Sequence, residues 1–500
     1  MSIMFLNKSE ERAVDFDVKS EIVSKDKFFE SAKKYISVDE ETLLHRQALF
    51  SDVLKNAELE SFLFSLAEKM KEYSSLARPN GKDENNEVKI YNILYPTVYI
   101  ELVKFIYDSL SPLMASVTSV AVKNLYELAR TDINSDEYRR IKEYYDKNSH
   151  KMRMVKSVTI GVNLNAMYQP KEAGIIALNE EEYRSGDLLD RIMRADFKKD
   201  DFHCIAPITV IDKKLGFSDS QQVNFAFLRA MGAVLDSGLY HCSSRLLKYA
   251  RGKLAQYFDM LDSMDFLVEA IKRIKVLKGK KIPLCFPKIN HEGEFNVVSL
   301  YDNSLCAKKE KSEIVANTVK LERGVCCYIL TGPNSGGKSV FANSLAAAQY
   351  YFQLGMPIPA REASLPICDY IFKISVEEQV GAELVGRFER ECILLSDTLG
   401  KFTKNSLALI DEAFTSTSAA EAVPIAANFI SEMCKIGGKC VFITHYHELC
   451  EEQAKIRACG NKVGYLHTEA QGERRTYAVQ SGKADSGSYA QSIAKKYGLI

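Results

Sequence analysis

Net charge is the first thing this chain lacks: 66 Lys+Arg stand against 66 Asp+Glu, and the formal charge is zero. No global field draws it to a polyanion, so any reading as a nucleic-acid binder has to rest on local patches. The twelve cysteines show no C-x-x-C spacing, and several sit inside apolar strand-like or helical runs. That pattern reads as reduced core thiols of a cytoplasmic protein, not as a disulfide framework. No stretch approaches the roughly 18 uninterrupted apolar residues of a membrane span. The opening Met1–Leu6 is too short for a signal core and has no basic flank. His445, His447 and Glu448 come close together but do not form His-Glu-x-x-His, so a zinc protease reading has little support. What remains is a soluble chain whose 46% hydrophobic content over 500 residues suffices for two or three domains with sizeable cores.

Against these absences, one segment carries specific chemistry. Gly332-Pro333-Asn334-Ser335-Gly336-Gly337-Lys338-Ser339 fits the phosphate-binding pattern Gly-x-x-x-x-Gly-Lys-Ser/Thr. It follows an apolar strand-like run, Val325 to Leu330, and precedes a helix-like run, Val340 to Ala346. Glycines let backbone N–H groups turn inward around phosphate oxygens, and the following helix N-terminus adds partial positive charge. Lys338 is expected to reach the β/γ-phosphates of ATP or ADP, and the Ser339 hydroxyl to ligate Mg²⁺.

Two further apolar runs end in polar groups. Ser406 to Ile410 runs into Asp411-Glu412, which predicts a buried strand with Asp411 holding the Mg²⁺ hydration shell and Glu412 polarising the attacking water as general base. Lys439 to Ile443 runs into Thr444-His445-Tyr446, which places His445 near the γ-phosphate or the water, at the carboxyl end of a strand where open α/β sheets bind ligands.

Composition and periodicity divide the chain into residues 1–40, charged and punctuated; 41–280, mostly helical; and 281–500, the part with the motifs. Within the helical part, Pro112 should break the apolar run from Tyr99 to Leu128, and the Ala77–Asp83 segment reads as a loop. The alternating Val158–Leu164 and the run Gly174–Asn179 predict a β-hairpin at about 155–180. Leu254, Phe258, Leu261, Val268 and Ile271 fall on one stripe, as in a long packed helix that ends at Lys278–Pro283.

At these residues the chain resembles the MutS family of DNA mismatch-repair ATPases. The resemblance rests on the loop with Asn334 and its double glycine, on Pro357-Ile358-Pro359-Ala360-Arg361-Glu362-Ala363, on Phe388-x-x-Glu391, and on Asp411-Glu412 followed by Thr417-Ser418. Thr444-His445-Tyr446 and Ser486-Gly487-Ser488-Tyr489 continue it, and Leu261 to Leu267 is similar to the end of the family's lever helix. It covers about the last third of the chain. It implies an α/β P-loop (ABC-type) ATPase domain C-terminal to a mostly α-helical core/lever domain with a small β-hairpin insertion in place of the DNA clamp. It further implies ATP/ADP and Mg²⁺ as ligands, a homodimer, and DNA, duplex or branched, as partner with low sequence specificity.

Departures from the family pattern bear on mechanism. Where the family has Ser-Thr-Phe in a loop that reaches the partner's γ-phosphate, this chain has Gly386-Arg387-Phe388, unless a two-residue deletion shifts the register; either way the serine is lost. Arg387 then supplies a positive charge in trans or is simply solvated. The adenine-stacking aromatic expected before the loop is replaced by Ile314. The family's mismatch-reading Phe-x-Glu is matched only by Phe28-Phe29-Glu30, in a helix-like run too short for that domain, and the family's C-terminal dimerisation element would begin where the sequence ends. Basic residues at Arg139-Arg140 and at Lys151, Arg153 and Lys156 are the local candidates for DNA phosphate contact. The expected function is DNA clamping coupled to ATP hydrolysis, without classical mismatch reading. The alternatives are a non-catalytic nucleotide-gated scaffold for a protein partner, or an SMC-like ABC ATPase; against the latter, no Leu-Ser-Gly-Gly-Gln motif lies between Ser339 and Asp411.

Overall fold

The structure is a computed structural model, and it describes residues 27–76, 84–154, 156–164, 166, 170–182, 206–208, 244–333, 336–375, 386–450, 454–471 and 474–483. The expected Ala77–Asp83 loop and the Ser486–Tyr489 motif lie outside the described residues. Packing divides the chain differently from composition. One unit gathers Ser61–Ser116 and Lys123–Leu261, and the other gathers the residues up to Glu60 with Val117–Val122 and everything from Asp262 on.

The described residues open with α1 (Lys27–Ala32) and α2 (Glu40–Lys55). Asp39 caps α2 by accepting from the Thr42 N–H at 2.7 Å, and Glu40 and Glu41 complement the helix dipole in the first turn. Then come α3 (Ala57–Leu76), α4 (Glu84–Leu110), α5 (Val120–Ile133) and α6 (Asp136–Met154). Pro112 sits in the short 3₁₀ turn Ser111–Leu113 that ends α4, where the loss of an N–H donor stops a helix.

The expected hairpin is present as β1 (Ser157–Leu164) paired antiparallel with β2 (Pro170–Asn179). A third strand, β3 (Ala206–Ile208), extends it into a three-stranded sheet, which three residues of apolar sequence did not announce. The long helix expected across Leu254 to Ile271 is two helices, α7 (Ser244–Phe258) and α8 (Leu261–Gly279). The helix breaks at Asp259–Met260, and burial departs from the expected stripe: in α7 Leu254 and Tyr257 are buried, in α8 Met264, Leu267, Ile271 and Ile274, while Phe258, Leu261 and Val268 are only half-buried. In the first unit, buried Asp132 accepts from the Tyr257 hydroxyl at 2.9 Å and pairs with Lys253 at 2.5 Å, which fastens α5 to α7.

The second unit carries β4 (Lys288–Ile289), β5 (Phe295–Leu300), α9 (Asn303–Lys308), β6 (Asn317–Leu321), β7 (Cys327–Thr331), α10 (Lys338–Gln353), β8 (Glu362–Leu365) and β9 (Ile371–Ser375). After these come α11 (Arg387–Lys401), β10 (Leu407–Asp411), α12 (Ala419–Ile436), β11 (Lys439–Ile443), α13 (Ala454–Ala458), β12 (Val463–Gln471) and β13 (Arg474–Ser481). Its main sheet has the order β13-β12-β7-β11-β10-β9. All neighbours are parallel except the β12–β13 pair. β7 and β10 are buried along their whole length, as expected for apolar strands covered on both faces. A second, four-stranded sheet has the order β4-β8-β5-β6.

The start of the described chain belongs to this unit's core. The Phe28 ring is 5% exposed and stacks on Phe266 at 5.7 Å between centroids. Helix α10 is anchored at its far end by Gln353, whose amide donates to Ser37 O at 3.1 Å and Cys368 O at 2.8 Å and accepts from the Cys368 N–H at 3.1 Å.

Candidate functional site

Parallel strands β7, β10 and β11 lie side by side, so the residues following each meet at one edge of the sheet. The connection from β7 to α10 is glycine-rich. Gly332 has φ +142°, and a Cβ there would overlap the Thr468 hydroxyl. Gly337, at the start of α10, has φ +95° and is left-handed. Only glycine takes both conformations without strain. Asn334 and Ser335 lie outside the described residues. Pro333 and Gly336 close the loop through the Gly336 N–H, which donates to Pro333 O at 3.0 Å.

Lys338 is 4% exposed. Its ammonium donates to Gly332 O at 2.8 Å and lies 3.8 Å from Glu412 Oε1. Burial pushes its pKa below the usual lysine value, against the pull of Glu412 and Asp411. Ser339 follows in the first turn of α10 and is exposed.

Asp411 is the last residue of β10 and 5% exposed. Its Oδ2 faces the Lys373 ammonium at 3.5 Å, and its Oδ1 is buried without a hydrogen-bond partner among the described residues. A buried carboxylate oxygen left open in this way suits a cation, so the donor set of Asp411 and the Ser339 hydroxyl fits Mg²⁺, a hard ion that takes oxygen ligands. Glu412 turns away from the strand with φ +53°, and its N–H donates to Ile443 O at 3.1 Å, tying it to β11.

His445 follows β11 by two residues and is half-buried, with its ring 4.1 Å from that of Tyr446. The preceding Thr444 N–H donates to Leu330 O at 3.1 Å, which sets this loop beside the end of β7. His447 is exposed in a 3₁₀ turn. Among the described residues no group of three or more His, Cys, Asp or Glu could hold a metal ion by itself.

The segment after Glu412 is fixed by groups that sequence motifs named without explaining. Glu391, 2% exposed, accepts from the Phe414 N–H at 2.7 Å and from the Ser416 hydroxyl at 2.9 Å. Tyr446 donates its hydroxyl to Phe414 O at 3.2 Å. Phe388 packs on Phe414 at 6.2 Å between centroids. Arg387, next to the exposed N-cap Gly386, lies 3.4 Å from Glu391 Oε1 and donates to Thr415 Oγ1 at 3.4 Å. It therefore rests on groups of its own chain.

Ile314 is placed apart from the loop: it is 7% exposed and packs with Leu277, Ile282 and Cys306. Three residues at the site were missed in the sequence. Tyr477, 46% exposed with φ +58°, lies against Gly337, where a Cβ would stand 3.4 Å from its ring. Asn317 supports it by donating to Tyr477 O at 3.2 Å and accepting from the Val479 N–H at 2.7 Å. Thr468 has a buried hydroxyl without a hydrogen-bond partner among the described residues, directed at Gly332 and Gly336. Lys373 is the third, and its only signal was a charged residue inside the apolar run Ile371-Phe372-Lys373-Ile374.

A glycine-rich loop, a buried lysine and paired carboxylates at the ends of parallel strands define a class: α/β proteins that bind ligands at the carboxyl edge of an open sheet. Residues 328–499 match the family MutS domain V, so the segment that carries the loop and the carboxylates is similar to that domain. It is 32% identical over 188 residues to the DNA mismatch repair protein MutS of Aquifex pyrophilus, covering 37% of this chain and 22% of that one. It is 27% identical over 251 residues to MutS of Persephonella marina, covering 50% and 27%. With the DNA mismatch repair protein HexA of Streptococcus pneumoniae it shares 33% over 192 residues, covering 37% and 22%. The chain thus spans about a quarter of the length of these relatives. No helix among the described residues is long and apolar enough to cross a membrane.

Proposed function

We propose that this chain is an ATP-hydrolysing protein of MutS type that couples its nucleotide state to its grip on DNA and works as a homodimer. One observation carries the reading: Lys338 reaches out of a glycine loop towards Asp411, which ends β10 of the same sheet, and Glu412, which follows it. Loop N–H groups and the start of α10 would cradle the phosphates of ATP. Lys338 would exchange its contact with Gly332 O for phosphate oxygens. Ser339 and Asp411 would hold Mg²⁺, which when bound offsets the charge of the β- and γ-phosphates. Glu412 would take the proton of the attacking water, and His445 would orient that water or touch the γ-phosphate. The exposed ring of Tyr477 beside Gly337, and not Ile314, offers the flat surface a nucleobase would lie on.

DNA as partner is supported by the family and, locally, by Arg139 and Arg140, which are exposed on α6. The α6 helix leads into the hairpin, and Lys156 fixes its start by donating from N–H to Asn179 O at 2.8 Å. Mismatch reading by Phe28 has no support, since its ring is packed against Phe266 and cannot wedge between bases without unfolding α1. ATPase assays with and without duplex, mismatched and branched DNA test the whole reading. Affinity for a single-mismatch duplex should equal that for the paired control at several salt concentrations; a clear mismatch preference at every salt refutes that part. Absence of both ATP hydrolysis and ATP-dependent DNA affinity would favour the nucleotide-gated scaffold.

A further inference from the structure

Lys373 is a lysine in the middle of β9, 2% exposed and flanked by buried Phe372 and Ile374. β9 pairs with β10 in parallel register, with Lys373 opposite Leu409 and Ser375 opposite Asp411. The lysine side chain therefore runs two residues along the strand to place its ammonium 3.5 Å from Asp411 Oδ2. A buried cation is retained only where an opposite charge compensates its lost hydration. One opposite charge that faces it is the carboxylate that the proposed function assigns to Mg²⁺.

The two oxygens of Asp411 have different surroundings. Oδ2 faces a protein cation, whereas Oδ1 is buried without a hydrogen-bond partner among the described residues. Lys338 stands in the same relation to Glu412, at 3.8 Å. Two lysine–carboxylate pairs, Lys373 with Asp411 and Lys338 with Glu412, thus meet at the end of β10.

We infer that Lys373 is a standing counter-ion that prevents Asp411 from binding a divalent cation on its own, so that Mg²⁺ enters only together with the nucleotide phosphates. With Lys373 in place the charge of Asp411 is already offset before a dication arrives. Triphosphate oxygens supply that excess, and Asp411 Oδ1 then completes the ligand set. Lys373 acts through Asp411 and touches no substrate, so it is a positioning residue. The inference rests on the proposed nucleotide site and concerns the order in which its ligands assemble.

Mn²⁺ binding to the full chain, followed by the loss of the free-ion electron paramagnetic resonance signal, separates the two ideas. Parent protein without nucleotide should show no saturable Mn²⁺ site, and a site should appear when a non-hydrolysable ATP analogue is added. Lys373→Met should acquire a nucleotide-independent Mn²⁺ site at least roughly tenfold tighter than the parent, as expected when a unit charge a few ångströms from the ion is deleted. That site should vanish in Lys373→Met with Asp411→Asn, and Lys373→Arg should behave as the parent. Thermal melting gives a second readout: Mg²⁺ alone should raise the midpoint of Lys373→Met and leave that of the parent unchanged. If Lys373→Met does not fold, Lys373→Gln, which keeps a donor on Asp411 without the charge, carries the same expectation. A folded Lys373→Met or Lys373→Gln that binds no Mn²⁺ without nucleotide overturns the inference. So does an Asp411-dependent Mn²⁺ site in the nucleotide-free parent. If the parent binds no Mn²⁺ even with the analogue, it is the nucleotide reading that fails.

Discussion

Glu412 holds its carboxylate on a backbone with φ +53°, and Phe414 follows with φ +65°. Such left-handed conformations cost non-glycine residues on the order of 1–3 kcal/mol and persist where neighbours over-determine them. Here the Glu412 N–H is held by Ile443 O, the Phe414 N–H by Glu391 and the Phe414 carbonyl by Tyr446. The arrangement directs Glu412 towards Lys338 and away from the strand that Asp411 completes. Glu412→Gln keeps the shape and the metal ligand, so ATP affinity should be preserved while hydrolysis falls roughly 10²–10⁴-fold, the usual worth of a general base. Lys338→Ala should weaken ATP binding itself. Isothermal titration beside a phosphate-release assay separates the two, and parental hydrolysis by Glu412→Gln removes Glu412 from the base role. Lys338, Asp411, Glu412 and His445 could be read from spacing because each motif is local: a strand end followed by a polar group. Tyr477, Thr468 and Lys373 could not, because Tyr477 and Thr468 reach the loop from β13 and β12, and Lys373 reaches Asp411 from β9, across large sequence separations. Nothing local marks which aromatic or hydroxyl will land there.

Helix α10 carries the loop's lysine at one end and is fastened at the other, so its anchors decide how firmly the site is held. Gln353 satisfies two carbonyls and one N–H, and also accepts from the Gln349 amide at 2.8 Å. Gln353→Leu fits the volume but leaves those buried groups without partners, at about 1–3 kcal/mol each. Unfolding in urea should show a loss of about 3 kcal/mol or more; a change within experimental error would mean that the helix end rearranges or takes up water. A second anchor, Ser344, donates to Asp302 Oδ2 at 3.2 Å, while Asp302 Oδ1 caps α9 through the Leu305 N–H at 2.8 Å. Burial raises the Asp302 pKa above its usual 3.8 despite these hydrogen bonds. The folded protein then holds more protons than the unfolded chain between the two values, so this group's contribution to stability is lost as pH rises through the raised value. Asp302→Asn keeps the acceptor for the cap and removes that slope. The stability difference, variant minus parent, should therefore grow in the variant's favour from about pH 4 upward, measured by urea unfolding; a flat difference contradicts the assignment. Strands β7, β10 and β11 and the start of α10 followed from their apolar runs, and the end of α4 from Pro112. The α7–α8 break did not, because Asp259 and Met260 carry no glycine or proline to mark it.

Assembly is where the departures at Gly386-Arg387-Phe388 have their largest consequence. The Arg387 side chain is 52% exposed, and among the described residues its polar partners are Glu391 and Thr415, each at 3.4 Å. Such contacts are weak at the surface, and Glu391 keeps its bonds from Phe414 and Ser416 without the arginine. Arg387 can therefore leave its resting place at little cost, and its loop adjoins the segment that follows the proposed general base. In the proposed dimer it would turn to the partner's phosphates, where a guanidinium stabilises transferring phosphoryl charge. The Glu412→Gln variant, unable to hydrolyse, should then sediment as a dimer with ATP, while the nucleotide-free protein should be at least partly monomeric. Arg387→Ala should weaken ATP-dependent association or hydrolysis and leave the ATP affinity of the monomer unchanged, because the charge is supplied in trans. Sedimentation velocity on Glu412→Gln with and without Arg387→Ala, apo and ATP-bound, reads both quantities from one set of boundaries. A reduced ATP affinity in monomeric Arg387→Ala would place the arginine on its own chain's nucleotide. An oligomer indifferent to both ATP and Arg387→Ala would instead leave the arginine as the surface partner of Glu391 that it is in the resting structure.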